Sequence, residues 1–204
     1  MRYALAVSLL GSFFPTQSHL NESHLEAKVL NCSQETQASF IPKNNTKRNY
    51  SEDEILKTIH SVYECLPSKP EYLSEKFIKE MVKMESSYDN LAIGRHEERG
   101  LLQILPKTWK EQTELLYRRI LPFDSAFNPR INLQVGISYL FWIEEFSRNN
   151  YPNWETLSDK EKRRILMASY NGGIGNLLEN NGDVSRMPLG TRNYINAIES
   201  GIED

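Results

Sequence analysis

Glu85 is the side chain in this sequence best placed for acid–base chemistry. On a helix, positions 78, 81/82 and 85 share one face, and here they hold Ile78, Met81, Val82 and Glu85. A carboxylate therefore ends an apolar stripe that should face a core. Loss of solvent disfavours the charged form and raises the pKa, which is what a general acid working near neutral pH requires. The competing account is a partly buried glutamate paired with a nearby Lys or Arg, and from the stripe alone that account is the commoner one. Three more carboxylates, Asp89, Glu97 and Glu98, follow within a short stretch. Metal chemistry has no comparable candidate. The two cysteines, Cys32 and Cys65, form no CxxC, and His19, His24, His60 and His96 are scattered, so neither a metal site nor a cofactor is expected.

The elements that must carry Glu85 are helical. Ser51-Glu52-Asp53-Glu54 has the form of a capping box, followed by Ile55, Ile59, Val62 and Tyr63 on one face. Ser74 can cap the next helix, which holds Phe77, Ile78, Met81, Met84 and Glu85. Pro106 suits the first turn of a third helix running through Trp109 towards Leu116. Pro129 opens a fourth, on which Ile131, Val135, Tyr139, Leu140, Trp142, Ile143 and Phe146 form a broad apolar face. Ser158-Asp159-Lys160-Glu161 is a second capping box, leading to Ile165, Leu166 and Met167, and a last helix covers about Thr191 to Ile198. No stretch alternates as a strand and no internal repeat is evident. The spacing predicts one all-α domain over 51–204.

On those helices and their connections lies an ordered series of short motifs. Glu85-Ser86 comes first, and then Gly100-Leu101-Leu102-Gln103-Ile104-Leu105-Pro106-Lys107-Thr108. Asn128-Pro129-Arg130-Ile131-Asn132 follows, with Gly136 and Tyr139-Leu140. The series closes with Ala168-Ser169-Tyr170-Asn171-Gly172-Gly173 and Thr191-Arg192-Asn193-Tyr194. Each motif alone is weak, but four of them, at Glu85-Ser86, Gly100 to Gln103, Ala168 to Gly173 and Thr191 to Tyr194, stand in order at compatible spacings and resist coincidence. The series resembles the catalytic domain of the soluble lytic transglycosylases, a lysozyme-like family, over about residues 70 to 199.

The resemblance implies an all-α, lysozyme-like domain that cleaves the glycan strands of peptidoglycan. Glu85 would be the single catalytic acid/base. Ser86 and Gln103 would bind substrate beside it, with the Gly100 turn allowing close backbone approach. Tyr170 and Asn171 would line the opposite wall, and Tyr194 would help close it. Plainer accounts exist for several of these. Tyr170 can be a core tyrosine with a bonded hydroxyl, Asn171-Gly172-Gly173 a helix stop, and Tyr194 a structural residue. The family mechanism protonates the glycosidic oxygen between N-acetylmuramic acid and N-acetylglucosamine and closes a 1,6-anhydro ring, with no second carboxylate.

One segment departs from the family pattern. Gly94 stands where the family has a serine that contacts substrate, and Glu97-Glu98 replaces a small Gly-Ala pair. Flanked by Arg95, His96 and Arg99, these carboxylates are expected to remain solvated, with no aim at a sugar and no role as a second catalytic group. Two rivals stay open. One is a lysozyme-type muramidase on the same fold, in which water replaces the muramyl C6 hydroxyl. The other is a peptidoglycan-binding or assembly-scaffold module that has lost turnover.

Composition sets the remaining bounds. The 204 residues carry a net charge of −3, and 25% are charged, which gives no electrostatic footprint for nucleic acid. Arg2, Lys28, Lys43, Lys47 and Arg48 outnumber Glu22, Glu26 and Glu35 before residue 51, so the acidic excess lies in the helical part. Ala4 to Phe14 is an apolar run behind Arg2, too short to span a bilayer and of signal-peptide length. Residues 1–18 are accordingly expected to be a signal peptide, and the polar stretch 19–50 a poorly ordered linker or tail. Export to the periplasm or cell envelope follows. A monomer acting on glycan strands is expected, with any cell-envelope assembly partners left unnamed. In an oxidising compartment, Cys32 and Cys65 would pair.

Overall fold

The computed structural model describes residues 50–66, 69–151 and 153–203. The signal-peptide and linker segments, and the Cys32 end of the expected disulfide, lie outside the described residues. Seven α-helices are found among the described residues: α1 Glu52–Glu64, α2 Glu75–Ser86, α3 Pro106–Tyr117, α4 Pro129–Asn150, α5 Asp159–Gly172, α6 Ile174–Glu179 and α7 Leu189–Glu203. The only extended pairing among those residues is two isolated antiparallel bridges, Ile93 with Arg99 and Arg99 with Ile104.

Local chemistry sets the helix starts. Ser51 Oγ accepts from the Glu54 N–H while the Glu54 carboxylate accepts from the Ser51 N–H, and Ser158 and Glu161 repeat the arrangement for α5. Ser74 caps α2 by accepting from the Phe77 N–H, and Asn128 caps α4 from Ile131. Pro106 and Pro129 occupy first-turn positions, where a missing N–H costs nothing. Tyr50, just before the first cap, packs against the core.

The core is built around α4, which packs against α1, α3 and α5. Leu133, Val135, Ile137, Leu140, Phe141 and Ile143 are buried along it. Helices hydrophobic on most sides belong in a domain's centre, and each such side chain contributes roughly 1.5–3 kcal/mol on burial. Ile78, Met81 and Val82 of α2 are fully buried, so the stripe that ends at Glu85 does face the core. Helix α7 lies across both α2 and α5. It is longer than the sequence pattern indicates because Gly201 continues the helix. A side chain there would collide with the Glu80 carboxylate of α2, and the bare backbone lets the two helices meet. The short α6 after Gly173 has no counterpart in the sequence pattern. Its buried anchor is Leu177.

Candidate active site

Glu85 occupies the last turn of α2. The helix stops two residues later, where Ser87 takes a left-handed conformation with φ 52° and its N–H returns to the Lys83 carbonyl. The residue is half-buried. From α7, the Tyr194 hydroxyl donates to Glu85 Oε1 at 2.7 Å. Burial pushes the Glu85 pKa up to about 7, the Tyr194 hydrogen bond pulls it down, and the charge of Glu98 pushes it up again. The negative end of the α2 dipole acts in the same direction as burial. A carboxyl group so placed is partly protonated at neutral pH, able both to give a proton and to take one back.

The segment between Glu85 and α3 is folded into a double turn. Gly94 N–H donates to the Glu98 carbonyl at 2.8 Å, and Arg99 and Ile104 exchange backbone bonds at 3.1 Å each way. Gly100, with φ 77°, makes the turn. A Cβ there would collide with the Ala126 carbonyl and the Asn132 amide, so only glycine fits. Asn132, fully buried on α4, holds the turn with three bonds. Its Oδ1 accepts from Leu102 N–H at 2.8 Å, and its Nδ2 donates to the carbonyls of Arg99 and Ala126 at 2.9 Å each. The Arg99 side chain braces the outside, ion-paired with Asp124 and lying 4.3 Å from the centre of the Phe123 ring.

The result is a fixed amide. Gln103 sits at φ 44°, and its Nε2 donates to the carbonyls of Gly100 at 2.8 Å and Ala92 at 3.2 Å. Both partners are acceptors, so the NH2 must face them and Oε1 must face away.

The remaining expected site residues divide. Tyr170 lies on α5 and donates its hydroxyl to the Leu102 carbonyl at 2.7 Å, while its ring packs 5.5 Å from that of Tyr139. Burial raises its pKa well above the ordinary value, and the nearby charge of Glu85 adds to that, so Tyr170 stands close to the acid. Tyr194 is raised for the same two reasons, and by its bond to Glu85. Glu85, Gln103, Tyr170 and Tyr194 are thus gathered from α2, the loop, α5 and α7. Ser86 turns its hydroxyl back to the Val82 carbonyl of its own helix at 3.1 Å. Asn171 is exposed at the end of α5, which Gly172 closes. Two roles were not visible in residue type or spacing. Asn132 organises the turn, and the half-buried Glu98 is turned towards Gly94 and Gln103 Oε1 while Glu97 is exposed. His60, Glu64 and Glu75 come together at the surface of α1 and α2, where His60 Nδ1 lies 3.0 Å from Glu75.

The family model described as Transglycosylase SLT domain matches residues 67–188. The chain belongs to that family. Among curated relatives, the membrane-bound lytic murein transglycosylase C of Yersinia pestis (strain Pestoides F) is 28% identical over 108 residues, which cover 52% of this chain and 29% of the relative. The protein of the same name from Yersinia pseudotuberculosis serotype O:1b (strain IP 31758) matches to the same extent. The chain therefore spans less than a third of the length of these curated relatives. The crystal structure of the 70 kDa soluble lytic transglycosylase SLT70 from Escherichia coli superposes with a TM-score of 0.52 at 20% identity, over 74% of this chain and 23% of that one. The all-α, lysozyme-like fold expected from the sequence is thereby shared with an SLT structure.

Proposed function

We propose that this SLT domain is a peptidoglycan lytic transglycosylase with Glu85 as its single acid/base. The observation that carries the proposal is a half-buried carboxyl group bonded by Tyr194 and close to Tyr170, which holds the Leu102 carbonyl of the Gln103 turn; burial pushes its pKa up to about 7. In the first step Glu85 gives its proton to the oxygen linking N-acetylmuramic acid C1 to N-acetylglucosamine C4. The C1–O bond breaks with its electron pair on that oxygen, and the substrate's own acetamido oxygen bonds to the cationic C1. Tyr194 now donates to the carboxylate that remains. In the second step the muramyl C6 hydroxyl attacks C1, the acetamido oxygen leaves, and the hydroxyl proton returns to Glu85. Water is neither consumed nor needed. Ser86, Gln103, Tyr170 and Asn171 complete the proposed substrate-binding set, with Tyr170 acting by holding the Leu102–Gln103 backbone in place.

Replacing Glu85 with Gln keeps the shape and removes the proton. Digestion of purified sacculi should then slow by about 10²–10⁴-fold, and a folded Glu85→Gln protein with near-normal turnover would end this reading. A muramidase on the same fold is favoured by one observation, the placement of the Glu98 carboxylate beside Gly94 and near enough to Glu85 for its charge to act on it, and it would leave reducing ends instead of anhydro ends. The apolar run Ala4 to Phe14 supports action after export, in the cell envelope. No helix among the described residues is long and apolar enough to cross a membrane.

A further inference from the structure

Gly94 and Glu98 face each other across the turn that precedes Gly100. The Gly94 N–H to Glu98 carbonyl bond and the neighbouring Ile93–Arg99 bridge set the two residues side by side, and Glu97 takes up the reversal at φ 65°. A Cβ placed on Gly94 would collide with Glu98 Oε2 and would lie 2.9 Å from Gln103 Oε1. The Glu98 carboxylate thus fills the space that a side chain at 94 would occupy, next to the outward-facing oxygen of Gln103. Its aim is fixed, because Oε2 accepts from the His96 N–H at 2.7 Å. The expectation of an undirected carboxylate does not describe Glu98; Glu97 is exposed.

Two oxygen acceptors that converge on one spot repel each other unless a donor lies between them. Resting on the transglycosylase reading above, we propose that Glu98 is a substrate-gripping residue: its carboxylate and Gln103 Oε1 together accept from one N–H or O–H group of the bound glycan, replacing the contact that residue 94 cannot make. A bond to an ionised acceptor is about twice as strong as a neutral one, so the replacement loses no grip. The same carboxylate lies close enough to Glu85 for its charge to act on it, alongside the neutral Tyr170 from α5 and Tyr194 from α7. Removing that charge should therefore ease ionisation of Glu85.

The test uses the full chain on purified, uncross-linked glycan strands, with folding of each variant checked by circular dichroism. Glu98→Ala should raise KM by about tenfold or more, the worth of a charged hydrogen bond, with a smaller change in kcat. Glu98→Gln keeps an acceptor, so it should bind better than Glu98→Ala and move the alkaline limb of the pH profile to lower pH. Gly94→Ser should impair the otherwise unaltered protein by crowding Glu98, and should improve KM when added to Glu98→Ala. Unchanged KM and an unmoved pH limb in both Glu98 variants of an active protein would overturn the inference and leave the transglycosylase reading standing. Loss in Glu98→Gln as deep as in Glu85→Gln, together with reducing ends from the unmodified protein, would instead make Glu98 a water-activating base and overturn both. An unmodified protein that releases no fragments would overturn the transglycosylase reading, and the inference with it.

Discussion

The hydroxyl of Tyr194 donates to Glu85 Oε1 at 2.7 Å, joining the last turn of α2 to the middle of α7 across 109 residues of sequence. Tyr194 lies beyond residues 67–188, where the SLT family model matches, yet it bonds directly to the proposed acid. The bond stabilises the ionised carboxyl, while burial and the charge of Glu98 oppose it and push the pKa up to about 7.

The pH dependence follows from that balance. As the proposed acid, Glu85 must be protonated for the first step, so activity should fall as pH rises through about 7. Stability should carry the same signature. The pKa is raised on folding from 4.5 to about 7, so the linked stability is whole below the unfolded value and is lost as pH climbs through the folded one. Glu85→Gln, which cannot ionise, should melt at a higher temperature than the parent at pH 8, with the difference closing at pH 4. A calorimetric series from pH 4 to pH 8 measures it, and a gap that does not change with pH contradicts it.

Tyr194→Phe should move the alkaline limb in the direction opposite to Glu98→Gln. The hydroxyl lowers the Glu85 pKa, so its removal should raise that pKa and carry activity to higher pH, at a reduced maximal rate. Opposite shifts in two pH–rate profiles would be hard to obtain from general loosening of the fold.

Asn132→Ala should cost about 2–4 kcal/mol, because three backbone groups lose their partner inside the protein. Urea denaturation reads that loss. The survivors should also turn over slowly, since the Gly100 turn that fixes Gln103 loses its brace. A variant with normal stability and normal rate would show that the turn holds itself.

A chain that starts at Tyr50 should fold and retain activity. Tyr50 packs on the core and Ser51 supplies the cap of α1, so both belong with the domain. Insoluble or inactive protein, with Glu85 in place, would put an essential element before residue 50.

Much of the fold was legible because its signals are local. Ser51, Ser74 and Ser158 announce helix starts within four residues, Pro106 and Pro129 mark first turns, and Ile78, Met81 and Val82 show which way Glu85 points. What escaped the sequence depends on distant partners. The reach of α7 through Gly201 is explained by Glu80 on another helix. The three bonds of Asn132 gather backbone groups from the Gly100 turn and from the short 3-10 helix Phe123–Phe127. The placement of the Glu98 carboxylate beside Gln103 Oε1 needs the space that Gly94 leaves, and composition shows only a charge run.

In the proposed reaction the muramyl cation is captured by its own C6 hydroxyl, with Glu85 as the only acid/base. Mass spectrometry of the muropeptides released from purified sacculi tests it most directly. The expected fragments end in 1,6-anhydro-N-acetylmuramic acid and are absent when Glu85→Gln is used. Fragments one water heavier, with reducing ends, would contradict it.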